Sequence, residues 1–218
     1  MCVIIFLLLI QNITGNQRIF DRVLKFLSRA IPFLFGIKVK ISGQVLLDPG
    51  KTYVFMANHV NIFDGFILYG NIPHFVRGVE LEDHFSWPVW GTLITQLGNI
   101  PISQKNTKEA LTALAYAAEK IRQGTSIIIL PEGHRTQNGH LLRFSRGPFI
   151  FAQNAGVDIV PIAMKGAWER KTLHSLMVRP GTVEVRFGNI ISASEIASCT
   201  AKELRDRTRQ KILGLLEE

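Results

Sequence analysis

The spacing of hydrophobic positions changes at Gly36. Over residues 17 to 35, Ile19, Val23, Phe26, Leu27, Ala30 and Leu34 recur at helical intervals. Arg18, Arg22, Lys25 and Arg29 recur on another face. This predicts an amphipathic helix with a basic stripe, a form suited to an anionic membrane surface. Beyond Gly36 the period drops to two: Ile37, Val39 and Ile41 alternate with Lys38, Lys40 and Ser42, as in a strand with one wet face.

Short apolar runs then alternate with helical patterns. Strands are predicted at Tyr53 to Met56, His74 to Val79, Asn99 to Ile102, Ser126 to Leu130, Asp158 to Ala163 and Thr182 to Phe187. Helices are predicted from Asp64, over Trp87 to Leu97, from a Thr107 cap to Arg122, over Pro148 to Ala155, and from a Thr200/Glu203 capping box to Leu216. In that last helix Leu204, Ile212 and Leu215 face the core, while Lys202, Arg205, Arg209 and Lys211 face outward. The alternation implies an α/β fold: one domain with a mixed, mostly parallel sheet flanked by helices. The division is an N-terminal membrane-association segment, residues 1 to 35, preceding the α/β domain, residues 36 to 218.

Cys2 to Ile10 is wholly apolar. As a helix it is about 15 Å long against a hydrocarbon core of about 30 Å, so it does not span alone. It lacks a basic leader, so no secretory signal is expected. Beside the basic stripe it makes a second weak anchor, and two weak anchors hold where one does not.

Two stretches carry candidate chemistry. In Ala57-Asn58-His59-Val60-Asn61-Ile62-Phe63-Asp64, a histidine leaves a strand and an aspartate follows five residues on. An imidazole can take a proton near neutral pH, and a carboxylate can orient it. Residues five apart do not share a helix face, so the pair meets only if the segment turns. In Ile127-Ile128-Ile129-Leu130-Pro131-Glu132-Gly133-His134-Arg135, a buried strand runs into Pro-Glu-Gly and then arginine, whose forked donors suit phosphate.

With Gly98-Asn99-Ile100-Pro101-Ile102 and Ile159-Val160-Pro161-Ile162 these stretches form four blocks in order. Together they resemble the glycerolipid acyltransferase family, which includes the 1-acyl-glycerol-3-phosphate acyltransferases. The resemblance covers roughly residues 38 to 190. It implies transfer of an acyl group from acyl-CoA or acyl carrier protein to a lysolipid hydroxyl, 1-acyl-sn-glycerol-3-phosphate first among acceptors. His59 is then the general base and Asp64 its orienting partner. Asn58, Glu132, Gly133, Arg135, Lys105 and Arg146 are the substrate-binding candidates. Glu132 would hold a glycerol hydroxyl or Arg135, and Pro161 would sit at a strand start or edge.

Two positions depart from the family pattern. Gln104, followed by Lys105, replaces an arginine that binds phosphate, and His134 replaces a threonine. The first keeps another lysophospholipid or a lyso-aminolipid open as the acceptor. A loop role suits His134 better than a second acid/base role.

Composition narrows the partners. Net charge is +8, which favours anionic ones. The basic residues are scattered and no nucleic-acid-binding motif is present, so lipid head groups are the better match than nucleic acid. Two cysteines, Cys2 and Cys199, make no disulfide framework and no metal spacing, and they fit a reducing compartment. No cofactor is implied beyond the acyl donor, and the expected location is a membrane surface with the site facing the cytoplasm. No G-x-S-x-G elbow is present, which argues against an α/β-hydrolase. The competing class is a non-catalytic phospholipid-binding protein, but binding alone requires neither His59 nor Asp64.

Overall fold

The computed structural model describes residues 17–43, 47–103 and 105–218. The apolar run from Cys2 to Ile10, Gln104, and the side chains of Arg18 and Ile19 lie outside what is described.

Helix α1 (Gln17–Leu34) leads into strand β1 (Ile37–Ser42). Strand β2 (Val54–Ala57), helix α2 (Asp64–Asn71), strand β3 (Val76–Leu81), helix α3 (Trp90–Leu97) and strand β4 (Ile100–Ile102) follow. Then come helix α4 (Thr107–Arg122), strand β5 (Ser126–Ile129), helix α5 (Gly147–Ala155) and strand β6 (Ile159–Lys165). Helix α6 (Ala167–Arg170), strand β7 (Gly181–Phe187) and helices α7 (Ala193–Ser198) and α8 (Ala201–Glu217) complete the chain.

The strands form one sheet in the order β1-β7-β6-β2-β5-β3-β4. Every pairing is parallel except β6 with β7. The central strands β2 and β5 are buried at every residue, which is why, but for Ser126, they read as apolar runs. Their side chains feed two hydrophobic clusters, one holding Phe55 and Val160, the other Val54, Met56, Ile127 and Ile129.

Pro161 is a correction to the sequence reading, because β6 lies inside the sheet between β7 and β2. The β7 ladder begins only at Ile162, opposite Phe187. The Pro161 carbonyl accepts from Gly188 N–H at 2.8 Å on that same side. The missing N–H therefore falls between the Ile159–Ile191 bridge and the Ile162–Phe187 pair, where the pairing on that side shifts by one residue, and proline is tolerated at such a bulge.

Other elements also differ from the prediction. The cap of α4 is Asn106, whose side chain accepts from Lys108 and Glu109 N–H. Helix α3 begins at Trp90, after a 3-10 turn over Glu82–Ser86. Helices α6 and α7 are too short to show a helical period.

Helix α1 is rotated from the face that periodicity chose. Phe20 and Leu24 are buried, whereas Phe26 and Leu34 are exposed. Polar pins set the rotation. Asp21 accepts from Tyr69 Oη at 2.6 Å and from Arg77 Nη1 at 3.2 Å, all three buried. Lys25 Nζ donates to the carbonyls of Ile72 and His74 and lies 3.6 Å from Asp21 Oδ2. Arg29 Nε donates to Gly70 O at 2.6 Å. Burial lowers the Lys25 pKa and raises that of Tyr69. The expected basic stripe is corrected here: Lys25 and Arg29 cap the end of α2, where orphan carbonyls and the dipole favour cations. Among the stripe residues whose side chains are described, only Arg22 is exposed without such a bond.

The exposed apolar surface gathers at the end of the helix. Phe33, Leu34 and Phe35 end α1 exposed, Leu34 at 79%. The Phe35 ring lies 5.3 Å from Phe63, and Gly36 O accepts from Gly181 N–H at 3.0 Å. Exposed Ile62, Leu176 and Met177 extend this rim along residues 59–63 and 171–180, with Leu176 at 99%. No helix of the described residues is long and apolar enough to cross a membrane.

Removing the arginine tests the α1 pins. Arg77→Met should cost about 3 kcal/mol, the lower end for breaking a buried ion pair, because Lys25 remains near Asp21. Denaturant unfolding measures it, and a cost below about 1 kcal/mol, the range of an exposed pair, would show that the network does not hold α1.

Candidate active site

Adjacent parallel strands end at the same edge of a sheet. Strands β2 and β5 pair with Met56 opposite Ile129, so the segments starting at Asn58 and Leu130 leave side by side. Ligands of open α/β sheets bind at this carboxyl edge. Three separate sets of bonds build the site there.

The first closes the turn after β2. His59 Nδ1 lies 2.8 Å from Asp64 Oδ2. The same oxygen accepts from the backbone N–H of Val60 and, at 2.9 Å, of Asn61. With the carboxylate as acceptor, Nδ1 carries the proton and Nε2 keeps its lone pair. Asp64 is 1% exposed and is the first residue of α2, so it also faces the positive end of that helix. The His59 side chain is 21% exposed and lines a small recess whose other walls include Glu132, Thr136, His140, Leu141 and Leu216.

The second set fastens this turn to its neighbours. Asn58 is buried; its Oδ1 accepts from Met164 N–H at 2.8 Å and its Nδ2 donates to Met164 O at 3.4 Å. Its amide thus clamps β2 to β6. Asn61 Nδ2 donates to Ala167 O at 2.9 Å and Lys171 O at 3.1 Å, and its Oδ1 accepts from Phe63 N–H. Helix α6 is therefore part of the site's support.

The third set belongs to the segment after β5. Glu132 is 7% exposed. Its Oε1 accepts from His59 N–H at 2.6 Å and its Oε2 from Leu142 N–H at 2.7 Å. Burial raises the Glu132 pKa, against the two backbone donors, which act to lower it. Gly133 has φ +75°, a conformation that costs an L-residue about 1–2 kcal/mol. Thr136 N–H then donates to His59 O at 2.9 Å. Arg135 is half-buried, with no hydrogen bond or ion pair among the described residues.

The predicted site residues are thus distributed unevenly. His59, Asp64, Asn58, Glu132, Gly133 and Arg135 come together. The backbone leading into Arg146 lies against the same segment, because Ser145 N–H donates to Pro131 O at 2.8 Å, and Arg146 itself is exposed at the start of α5. Lys105 does not join them. It follows β4, three strands from β2, or about 14 Å at roughly 4.8 Å per strand. There it is exposed and lies 3.3 Å from Asp83. His134 is exposed, as a loop residue would be.

Sequence reasoning missed Asn61, Thr136, His140 and Arg209. Arg209, expected to face solvent, instead donates from Nε to Leu142 O at 3.0 Å and from Nη2 to Leu141 O at 2.8 Å. It holds the segment that Glu132 holds from the other side. Asn61 lay inside the quoted motif, where a buried amide beside a turn was the available signal. Nothing local marks Arg209, which acts 67 residues from its partner.

Comparison with known proteins bears on this arrangement. The family model described as Acyltransferase matches residues 38–165. The chain is 28% identical over 200 residues to the sheep (Ovis aries) 1-acyl-sn-glycerol-3-phosphate acyltransferase alpha, covering 90% of this chain and 69% of that protein. It is 29% identical over 159 residues to the 1-acyl-sn-glycerol-3-phosphate acyltransferase of Limnanthes douglasii, covering 71% of this chain and 55% of that protein. In three dimensions it matches the 1-acyl-sn-glycerophosphate acyltransferase PlsC of Thermotoga maritima with a TM-score of 0.85 at 18% identity, over 97% of this chain and 86% of that one. At that identity the structural match shows the fold.

Proposed function

The chain belongs to the acyltransferase family, and from that premise we propose that it moves a fatty acyl group from acyl-CoA or acyl carrier protein to the free hydroxyl of 1-acyl-sn-glycerol-3-phosphate, giving phosphatidic acid. The observation that carries this reading is the 2.8 Å His59–Asp64 contact, which leaves Nε2 free in a recess beside the Arg135 segment. The names of the sheep and Limnanthes relatives support the acceptor.

The chemistry follows from these groups. The Nε2 lone pair takes the proton of the acceptor hydroxyl as its oxygen bonds to the thioester carbonyl carbon. The adduct collapses, the C–S bond breaks, and the imidazolium returns the proton to the leaving thiolate. Asp64 accepts from Nδ1–H throughout, fixing the tautomer and stabilising the imidazolium. No protein nucleophile is needed, because the attacking oxygen belongs to the substrate. Arg135 holds the acceptor phosphate with its forked donors, and Arg146 adds positive charge from the start of α5. Lys105 is left to a more distant anionic group.

A second acceptor class is kept by one observation: Gln104 stands where family members place a phosphate-binding arginine. A panel of lysophospholipids and lyso-aminolipids with both donor types, read by mass spectrometry, separates the two.

The lipid reaches the site from a membrane surface. The rim formed by Phe33, Leu34, Ile62, Leu176 and Met177 enters the interface, and nearby Lys38, Lys40 and Arg179 meet anionic head groups. Residues 1 to 35 belong to this contact through the end of α1, with the site facing the cytoplasm.

Three measurements test the reading. His59→Ala should lower turnover by about 10²-fold or more, the scale of general-base catalysis. Asp64→Asn should be similarly severe, and the double variant should lose no more than the worse single, because the pair acts as a unit. A folded His59→Ala protein with near-normal transfer would refute the mechanism. Arg135→Lys keeps the charge but loses the fork, so the acceptor KM should rise while the donor KM holds; movement of the donor KM instead would reassign Arg135. In flotation on anionic liposomes, Phe33→Ser with Leu176→Ser should weaken binding by about tenfold or more, since each inserted side chain contributes roughly 1.5–3 kcal/mol. Unchanged flotation would remove the rim from the membrane contact.

A further inference from the structure

Glu132 lies in the segment that the family resemblance gives to acceptor binding, yet each of its oxygens accepts a backbone N–H of the protein. We propose that Glu132 is a positioning residue, whose carboxylate sets the placement of His59 by tying the turn after β2 to residues 140–142, and that it takes no part in holding the acceptor. This inference rests on the acyl-transfer reading of the site.

Three observations carry it. First, the His59 backbone is held on both sides: its N–H donates to Glu132 Oε1 at 2.6 Å and its carbonyl accepts from Thr136 N–H at 2.9 Å. The segment after β5 thus grips the residue whose imidazole does the chemistry. Second, Glu132 Oε2 accepts from Leu142 N–H at 2.7 Å, while Arg209 holds the carbonyls of Leu141 and Leu142. The 140–142 segment is fixed from two directions, and through Glu132 it fixes His59. Third, Glu132 borders the recess but is only 7% exposed, and each of its oxygens is already engaged by a backbone N–H, so its carboxylate is committed to the protein rather than presented to a glycerol hydroxyl.

The chemistry of the donors explains why a carboxylate stands here. Two backbone N–H groups converge on one side chain, and each needs an acceptor. A carboxylate has two acceptor oxygens, whereas an amide has one oxygen and an NH₂ that would face the other N–H. An aspartate is one methylene shorter and cannot span both donors. The cost of burying a charge is offset by two charge-assisted bonds, which are stronger than neutral ones.

Kinetics of Glu132→Gln in the full chain decides between roles. Misplacing a reacting group by about 1 Å can cost about 10²-fold, so kcat per folded molecule should fall by roughly ten- to a hundredfold. The acceptor KM should stay at the parent value, in contrast to Arg135→Lys. A rise in acceptor KM with kcat retained would return Glu132 to acceptor binding. A lower melting temperature with kcat per folded molecule retained would make it a stability residue only. Either result overturns the proposal. The same comparison on Glu132→Asp should give a kcat loss at least as large, because one of the two bonds must break.

A measurement on the parent protein covers the case in which neither variant folds. The short bond to a carboxylate should move the His59 amide proton far downfield in a ¹⁵N-resolved spectrum; an ordinary position overturns the proposal. A parent protein inactive on every lysolipid tried refutes the acyl-transfer reading, while the His59 amide position still decides what the carboxylate holds.

Discussion

The register between β2 and β5 is the constraint from which the site follows. With Met56 opposite Ile129, two otherwise unrelated segments emerge at one edge and at one height. A slip by one residue would turn every side chain of β2 to the other face. It would also move His59 away from the Thr136 N–H and the Glu132 carboxylate that hold its backbone. Packing on both faces holds the pairing: Phe55 and its partner Ile128 enter one hydrophobic cluster, while the pairs Val54–Ile127 and Met56–Ile129 enter the other.

Much of this was legible in the residues. Apolar runs announced β2 and β5 as interior strands, and a histidine and an aspartate five apart required a turn. What was hidden has a common physical cause. Periodicity reads only where apolar side chains lie along one element, so it misplaced the inner face of α1, whose rotation is set by Asp21 bonding to Tyr69 and Arg77. The same blindness turned Lys25 and Arg29 into a membrane-facing stripe, when their charges serve carbonyls at the end of α2. Pro161 was read by the general rule for prolines in sheets, and only the start of the β7 ladder shows how an interior strand accommodates it.

The candidate site shows the same division. Residue types identified His59, Asp64 and Arg135 as chemically capable, because their functions reside in their own side chains. They said less about Asn58 and Glu132, whose side chains are spent on backbone groups of distant segments. An amide or a carboxylate looks alike in sequence whether it faces a ligand or a neighbouring loop. Only the positions of Met164, Leu142 and the His59 amide separate the two.

The Asn58 and Glu132 bonds have a consequence for the order in which the protein assembles. Their partners lie 106 and 73 residues away in the chain. Closing loops of that length costs entropy that only later contacts repay. At roughly 5–20 residues per second of synthesis, the His59 turn waits about 4–15 s before Glu132 has even been added. During that interval Asp64 is the turn's organising partner, since it lies within the same segment. The imidazole can therefore find its tautomer early, whereas its place in space is settled only once the sheet has closed around it.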